Sequence, residues 1–562
     1  MKSERLIIFL LALVFILVSI FPTINFYIRT PQDSVYTFMH NSISDYPYYI
    51  SFIRQGTYGS FTTIDQFTTE PQLPGFIHIF YLWLGKLGNV FHLSPINIYF
   101  LARIIFGFIF LIVSFKFISF FLKDKWAKII AFIIFIISTS FPKIIFLGGR
   151  IDFWPYLFWW TEMDPLLRAT FIPHFLFGHI GLTACLLFLL KLFKSYKFRY
   201  LFYSIIIGFI VGFAHPPSLG MIYYILISYL FILSLLSRPS LLGAWRDLSR
   251  MQDSHSDKLR DSSTTLGMTV QLFLSFLFIL FTIPPLLYIY FTTRLVFPWT
   301  LMKAQESLFY TISFVEYLLA LGPIFILGLF GIVVVMKSLL IEKKNYQSLI
   351  LILWVLIDIV MIPLSYFLAF KSPIKIPTFA NIRFLSMAIQ LPLAILAVYF
   401  LSFVRKRWSN KLFWGICAVY AVLTLIMYPG SIAGQTNISP SVYHFVYPKK
   451  SLVNAFIFLD KLSSETETVL ASEDNSKLLP LFARNKVYFG QSIYTYNNED
   501  KSLQVDKFFS ENMTIDEVKS FLKGGNISYV LVDDEKIKER IDSYQFLKII
   551  YEKDRVYIYE VI

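Results

Sequence analysis

The chain has 562 residues, of which 56% are hydrophobic, 19% aromatic and only 15% charged, with 61 Phe and 34 Tyr. That balance excludes an ordinary soluble protein: apolar runs of about 20 residues, the helical length that crosses a hydrocarbon core of about 30 Å, recur along the chain. The net charge of +14 is uneven, because residues 1–440 hold 34 Lys and Arg against 17 Asp and Glu, whereas 441–562 hold 16 against 19. The basic excess therefore belongs to the membrane part, where its partner is anionic membrane lipid and no nucleic acid is expected.

In chain order, eleven spans are predicted: about 6–28, 96–122, 127–147, 172–192, 200–215, 218–237, 267–290, 313–336, 347–369, 382–404 and 412–429. Of the 34 basic residues, 22 fall in Lys2/Arg5, Lys116–Lys128, Lys191–Arg199, Arg238–Arg260, Lys337–Lys344 and Arg405–Lys411. Positive loops stay cytoplasmic, so the N-terminus is expected inside as an uncleaved signal anchor, with loops 29–95 and 148–171 and the C-terminal tail outside. Residues 74–92 are apolar but interrupted by Gly85, Lys86 and Gly88, which predicts an interfacial helix. A twelfth span there would invert every later loop, against the charge bias. Segment 238–266 is polar and mixed in charge, and reads as a flexible cytoplasmic loop. Cys185 and Cys417 both lie in predicted spans, so no disulfide or zinc framework is expected.

Beyond about 441 the pattern becomes that of a small α/β domain. Strands are expected at 468–472, 486–490, 528–534, 546–552 and 555–561, and helices at 451–463, 498–509 and 514–523. Thr514 and Glu517 have capping-box spacing, and Lys553-Asp554 marks the turn of a final hairpin. The domain carries no Gly-rich nucleotide fingerprint; a lid, a substrate contact and a structural cap are all open to it. The fold class expected is thus a polytopic all-α membrane domain over 1–440 and a soluble extracytoplasmic α/β domain over 441–562.

Chemistry concentrates in the external loops. The first holds Asp45, Asp65 and Glu70 just past the opening span. Asp45 is flanked by Tyr46, Tyr48 and Tyr49, and partial dehydration by these rings would raise a carboxylate towards the range where it accepts a proton from a hydroxyl; a loop acid that caps a helix is the competing reading. The second loop gathers Arg150, Asp152, Glu162, Asp164, Arg168 and His174 around Trp154, Tyr156, Trp159 and Trp160. Aromatic faces stack on sugar rings and carboxylates bind hydroxyls or a metal, although Trp and Tyr also belt ordinary membrane interfaces. His174 could bond a phosphate or a backbone carbonyl. Arg383, at the outer mouth of the tenth span, has the chemistry to meet a lipid phosphate bidentately, with interfacial snorkelling as the alternative. His215, before two prolines, reads as structural. Asp358 lies well inside a span and must be protonated, paired or facing a wet cavity, which raises a proton-coupled transporter as a second class. The missing repeat and scarce intramembrane charge oppose it. The triplets at Asn437, Asn512 and Asn526 fit the glycosylation pattern, which also arises by chance.

The order D45-Y-P-Y-Y, G56-T-Y-G, T69-E70-P71, L84-G85-K86-L87 and R103, with one acid after the first span and an Arg opening the next, resembles the GT-C class of membrane glycosyltransferases, which includes protein mannosyltransferases and aminoarabinose transferases. The resemblance is best over residues 1 to about 200. It implies an inverting transfer of a sugar from a polyprenyl-phosphate or diphosphate carrier to an unknown glycan, lipid or protein acceptor in the cell envelope. By the same resemblance Asp45 is the base, Glu70 a supporting acid, and one of Asp152, Glu162 and Asp164 an acceptor- or metal-binding group. Arg383, Arg103 and His174 are donor-phosphate ligands, and Tyr46, Trp159 and Trp160 form a substrate rim. A divalent metal is the one cofactor it leaves open, with no ligand set assigned. The alternative is a non-catalytic lipid or glycan transporter, or an assembly protein, on the same architecture.

Overall fold

In the computed structural model the long apolar runs form helices whose polar side chains turn inward. It describes residues 2–39, 45–147, 149–157, 163–236, 265–303, 313–341, 346–372, 379–510 and 513–562. Helix Thr265–Leu295 buries Gln271, Ser275 and Thr282 while Phe273 and Phe276 are more than half exposed. Such a helix is suited to a hydrocarbon solvent and not to water. Among the described residues eight helices are long and apolar enough to cross a membrane, from Ser3–Ile28 and Pro95–Phe121 to Tyr346–Lys371 and Asn410–Thr436, with Phe198–Ala214 a shorter apolar helix. The chain is a multi-pass membrane protein. The predicted loop 238–266 lies almost wholly outside the described residues, as does Asn512.

Two compact units are present: residues 1–20, 103–287 and 309–434 form one, and 21–102, 288–308 and 435–562 the other.

In the first unit three predicted spans are broken, each for a local reason. The run at 127–147 is helical only over Lys125–Ile137; Pro142–Leu147 then pairs antiparallel with Arg150–Pro155. Ser138-Thr139-Ser140 and Pro142 end the helix, and the Arg168 guanidinium takes the freed carbonyls of Phe135 and Ser138 at 2.8 and 2.6 Å. The run at 313–336 divides at Gly322 into Phe314–Leu321 and Pro323–Leu340. Gly322 has φ +73, and a Cβ there would sit 1.9 Å from the Thr139 carbonyl oxygen, so glycine is required on both counts. The run at 382–404 opens with a 3-10 turn, Asn381–Leu385, and becomes α-helical only at Gln390. Asp358 is fully buried and accepts a hydrogen bond from the Tyr317 hydroxyl at 3.3 Å.

The second unit holds all five predicted C-terminal strands in one mixed sheet. Their spatial order is Lys486–Val487, Thr468–Leu470, Ile527–Val532, Val556–Val561, Leu547–Lys553, parallel on the first side and antiparallel on the second. Leu470, Val530, Val532 and Tyr559 pack with Phe508, Val518 and Leu522 from helices Asn498–Phe509 and Ile515–Gly524. The Thr514–Glu517 capping box forms as expected. The hairpin turn is one residue later than predicted, since Asp554 and Arg555 take the two positive φ angles, +51 and +61, which a two-residue turn matched to the strand twist demands. In the first loop, helices Asp45–Thr57 and Ile79–Val90 pack closely. The latter has 12 residues, about 18 Å of helix, too short to be a twelfth span.

Candidate active site

Asp45 is the first residue of helix Asp45–Thr57 and half-buried, so its carboxylate lies at the positive end of the helix dipole. The Tyr494 hydroxyl, from the C-terminal segment, donates to Asp45 Oδ1 at 3.2 Å. One turn along the helix, Tyr48 stacks face to face on Tyr494 with ring centroids 3.5 Å apart and planes 10° apart. Phe52 follows one turn later, and His78 stacks on it at 5.1 Å while meeting Tyr48 edge-on at 5.4 Å. An aromatic wall thus runs along the helix face that carries Asp45. Burial, and then the Asp65 carboxylate, push the Tyr48 phenol well above its ordinary range, so it stays neutral. Its hydroxyl is buried without a hydrogen-bond partner among the described residues.

Tyr46, expected at a substrate rim, is instead packed inside. Its hydroxyl donates to the Thr37 carbonyl at 2.6 Å and its ring meets Tyr99 edge-on. Being next to Asp45 on a helix turns it about 100° away.

Glu70 pairs with Lys501 at 2.6 Å and accepts a hydrogen bond from Thr68; Lys501 also bonds Thr69 at 3.0 Å. Burial opposes charge on Glu70, but the bonds from Lys501 and Thr68 outweigh it and hold the carboxyl below its ordinary range. Burial lowers the Lys501 ammonium as well, with the hydrogen bond and charge of Glu70 working against that loss. Asp65 differs: it is buried, and desolvation raises it to about 7 despite the Phe67 amide at 2.8 Å and the field of Lys486. Tyr494 and Lys501 were not singled out from sequence. They lie 449 and 431 residues from the groups they touch, and nothing local announces either partnership.

The other expected residues belong to the first unit. Asp164 is buried as the N-cap of helix Pro165–Arg168, accepting from the Leu166 amide at 2.8 Å. Arg103 is buried and donates to the Thr170 carbonyl at 2.6 Å. His174 begins helix Pro173–Ser195, its ring 5.7 Å from that of His215, which lies 6.5 Å from His179. His215 is buried, bonded to Ser218 at 2.8 Å, and fills the space above Gly178, in keeping with a structural part. Arg383, half-buried in the Asn381–Leu385 turn, is within electrostatic reach of His215. Three imidazoles and a guanidinium therefore share one neighbourhood, and His179 joins it unforeseen. Asp152 lies on strand Arg150–Pro155, but its side chain, like Glu162, Trp159 and Trp160, lies outside the described residues. Among the described residues no three His, Cys, Asp or Glu side chains are grouped so that they could hold a metal ion.

No protein-family model matches the sequence, and no curated protein matches it. Solved structures do. Over 95% of its length the chain superposes on 69% of AglB, the archaeal oligosaccharyltransferase from Archaeoglobus fulgidus, in complex with an inhibitory peptide and a dolichol-phosphate (TM-score 0.52, 12% identity). ArnT from Cupriavidus metallidurans, bound to undecaprenyl phosphate, is matched over 99% of this chain and 98% of that one (TM-score 0.50, 12% identity). The fold is that of the GT-C glycosyltransferases. The mycobacterial arabinofuranosyltransferase AftD matches over 99% of this chain and 40% of its own (TM-score 0.52, 12% identity). At such identity the likeness speaks for the GT-C architecture, and residue roles rest on this chain's own side chains.

Proposed function

We propose that this GT-C-fold protein is a membrane glycosyltransferase that moves a sugar from a polyprenyl-phosphate-linked donor to an acceptor hydroxyl on the outer face of the membrane, with Asp45 as general base. The supporting observation is the setting of Asp45: a half-buried carboxylate at a helix start, walled by stacked aromatic rings and held by a phenol. The matched proteins AglB and ArnT were solved with polyprenyl-type phosphates, which favours the same donor class. The bias of Lys and Arg favours an inside N-terminus, with loops 29–95 and 148–171 and the domain over 441–562 outside.

In this reading Asp45 takes the proton of the acceptor hydroxyl as its oxygen bonds the anomeric carbon. The bond from that carbon to the phosphate oxygen breaks, the electron pair leaves with the lipid phosphate, and the configuration inverts. Proton removal by a positioned base supplies about 10²- to 10⁴-fold, and holding donor and acceptor together supplies more. Glu70, neutralised by Lys501, supports the loop and is less suited to proton transfer.

The test is turnover of labelled polyprenyl-phosphate sugars by the protein in proteoliposomes, read as free lipid phosphate and labelled acceptor. Release dependent on an added acceptor supports the reading. Saturable binding of every donor with no release would replace it with a carrier function.

A further inference from the structure

We infer that Tyr494 is the positioning residue for the Asp45 carboxylate, so that the C-terminal sheet domain supplies part of the reaction site. This rests on Asp45 being the base. The hydroxyl of Tyr494 reaches Asp45 Oδ1 at 3.2 Å, and the ring is buried at 2% exposure, stacked on Tyr48 with planes 10° apart. Tyr48 and Asp45 are one helical turn apart and share a face. The stack therefore holds the phenol against the face that carries the carboxylate.

The turn bearing Tyr494 is itself fastened to the first loop. The amides of Tyr494 and Thr495 both donate to the Gln491 carbonyl, at 3.0 and 2.8 Å. Thr495 Oγ1 donates to the Phe67 carbonyl at 2.9 Å, and the Tyr496 amide reaches Thr68 Oγ1 at 3.4 Å. A residue present only to fill space would need the ring and not the hydroxyl, and phenylalanine would serve. The hydroxyl is what contacts the carboxylate. A phenol donating to one carboxylate oxygen favours the ionised form and fixes the direction of the remaining lone pairs, both of which a general base needs.

The experiment compares wild type, Tyr494→Phe, Asp45→Asn and the double variant, full length in proteoliposomes, across pH 5 to 8. Tyr557→Phe is the control, since it removes another phenol-to-carboxylate bond, to Glu535 at 2.8 Å, from the same domain. Tyr494→Phe is expected to lower kcat about tenfold, the scale of one hydrogen bond to a charged group. Donor KM should stay unchanged, and the acid limb of the pH profile should rise by about half a unit or more. In the Asp45→Asn background the same change should cost nothing further, the non-additivity of groups acting as a unit. Wild-type kcat and an unmoved limb in Tyr494→Phe, with Asp45→Asn inactive, overturn the inference while leaving the base in place. An equal loss in Tyr557→Phe also overturns it, by assigning the effect to domain stability. Full activity in Asp45→Asn removes the base and the inference together.

Discussion

Asp65 is the buried acid for which sequence offers least warning, since its neighbours in the chain are as polar as those of Asp45 and Glu70. Its environment decides. Desolvation raises its carboxyl to about 7, with the Phe67 amide and Lys486 opposing and Glu70 adding. Between its ordinary value near 4 and about 7, the folded protein holds a proton that the unfolded chain has released. Its contribution to stability is complete below the lower value and is lost as pH rises through the upper one. The Asp65→Asn variant lacks this slope. Between pH 5 and pH 8 its stability relative to wild type should improve by about 2 to 3 kcal/mol, read by chemical denaturation at the two pH values; a difference independent of pH would contradict the assignment. Of the expected site, Asp45 and Glu70 were legible as residues because they stand in a polar loop beside a membrane run. Their partners Tyr494 and Lys501 were not, because hydrogen bonds and ion pairs across more than 400 residues leave no trace in local pattern.

Helices Asp45–Thr57 and Ile79–Val90 set the backbone on which that loop is built. A Cβ on Gly85 would sit 1.9 Å from the Ile53 carbonyl oxygen and 2.9 Å from the Thr57 amide nitrogen, so backbone meets backbone and no side chain can yield. Gly85→Ala should separate the helices, cost about 1 to 3 kcal/mol as overpacking does, and lower activity through the displaced loop. Gly524→Ala, where a Cβ meets nothing within 4 Å, should be neutral or slightly stabilising. Thermal melts of the two variants check this, and equal melting points would count against the packing described. The five C-terminal strands and the capping box were readable because alternation and cap spacing are local. The break of the 127–147 run was not, because a long apolar stretch outweighs Ser138-Thr139-Ser140 in any window, and the Arg168 side chain that takes the freed carbonyls is a distant residue.

The division into two units ties residues 21–102 to 435–562. Val35 and Thr37 bond the backbone of Pro448 and Val446 at 2.9 and 3.1 Å, and the Val487 amide bonds the Gln66 carbonyl at 2.9 Å. Asp460 gathers Tyr58 at 2.5 Å and Arg484 at 3.2 Å, with Arg54 at 3.9 Å. The charge change near residue 440 marks a change of composition, but composition carries no sign that 21–102 and 288–308 group with 435–562 in one unit. Truncation after residue 440 should therefore leave the 29–95 segment open to protease while the helices of 103–287 resist. A cleavage pattern unchanged from the full-length protein would contradict that dependence. The inward-facing polar residues of the membrane helices and the GT-C superposition agree on the architecture, and the chemistry proposed on it turns on one carboxylate. The decisive measurement is kcat and donor affinity for wild type and Asp45→Asn in the same proteoliposomes, with whichever polyprenyl-phosphate sugar turns over. A base at Asp45 predicts a fall in kcat of about 10²- to 10⁴-fold with donor affinity retained, and undiminished turnover in Asp45→Asn would contradict it.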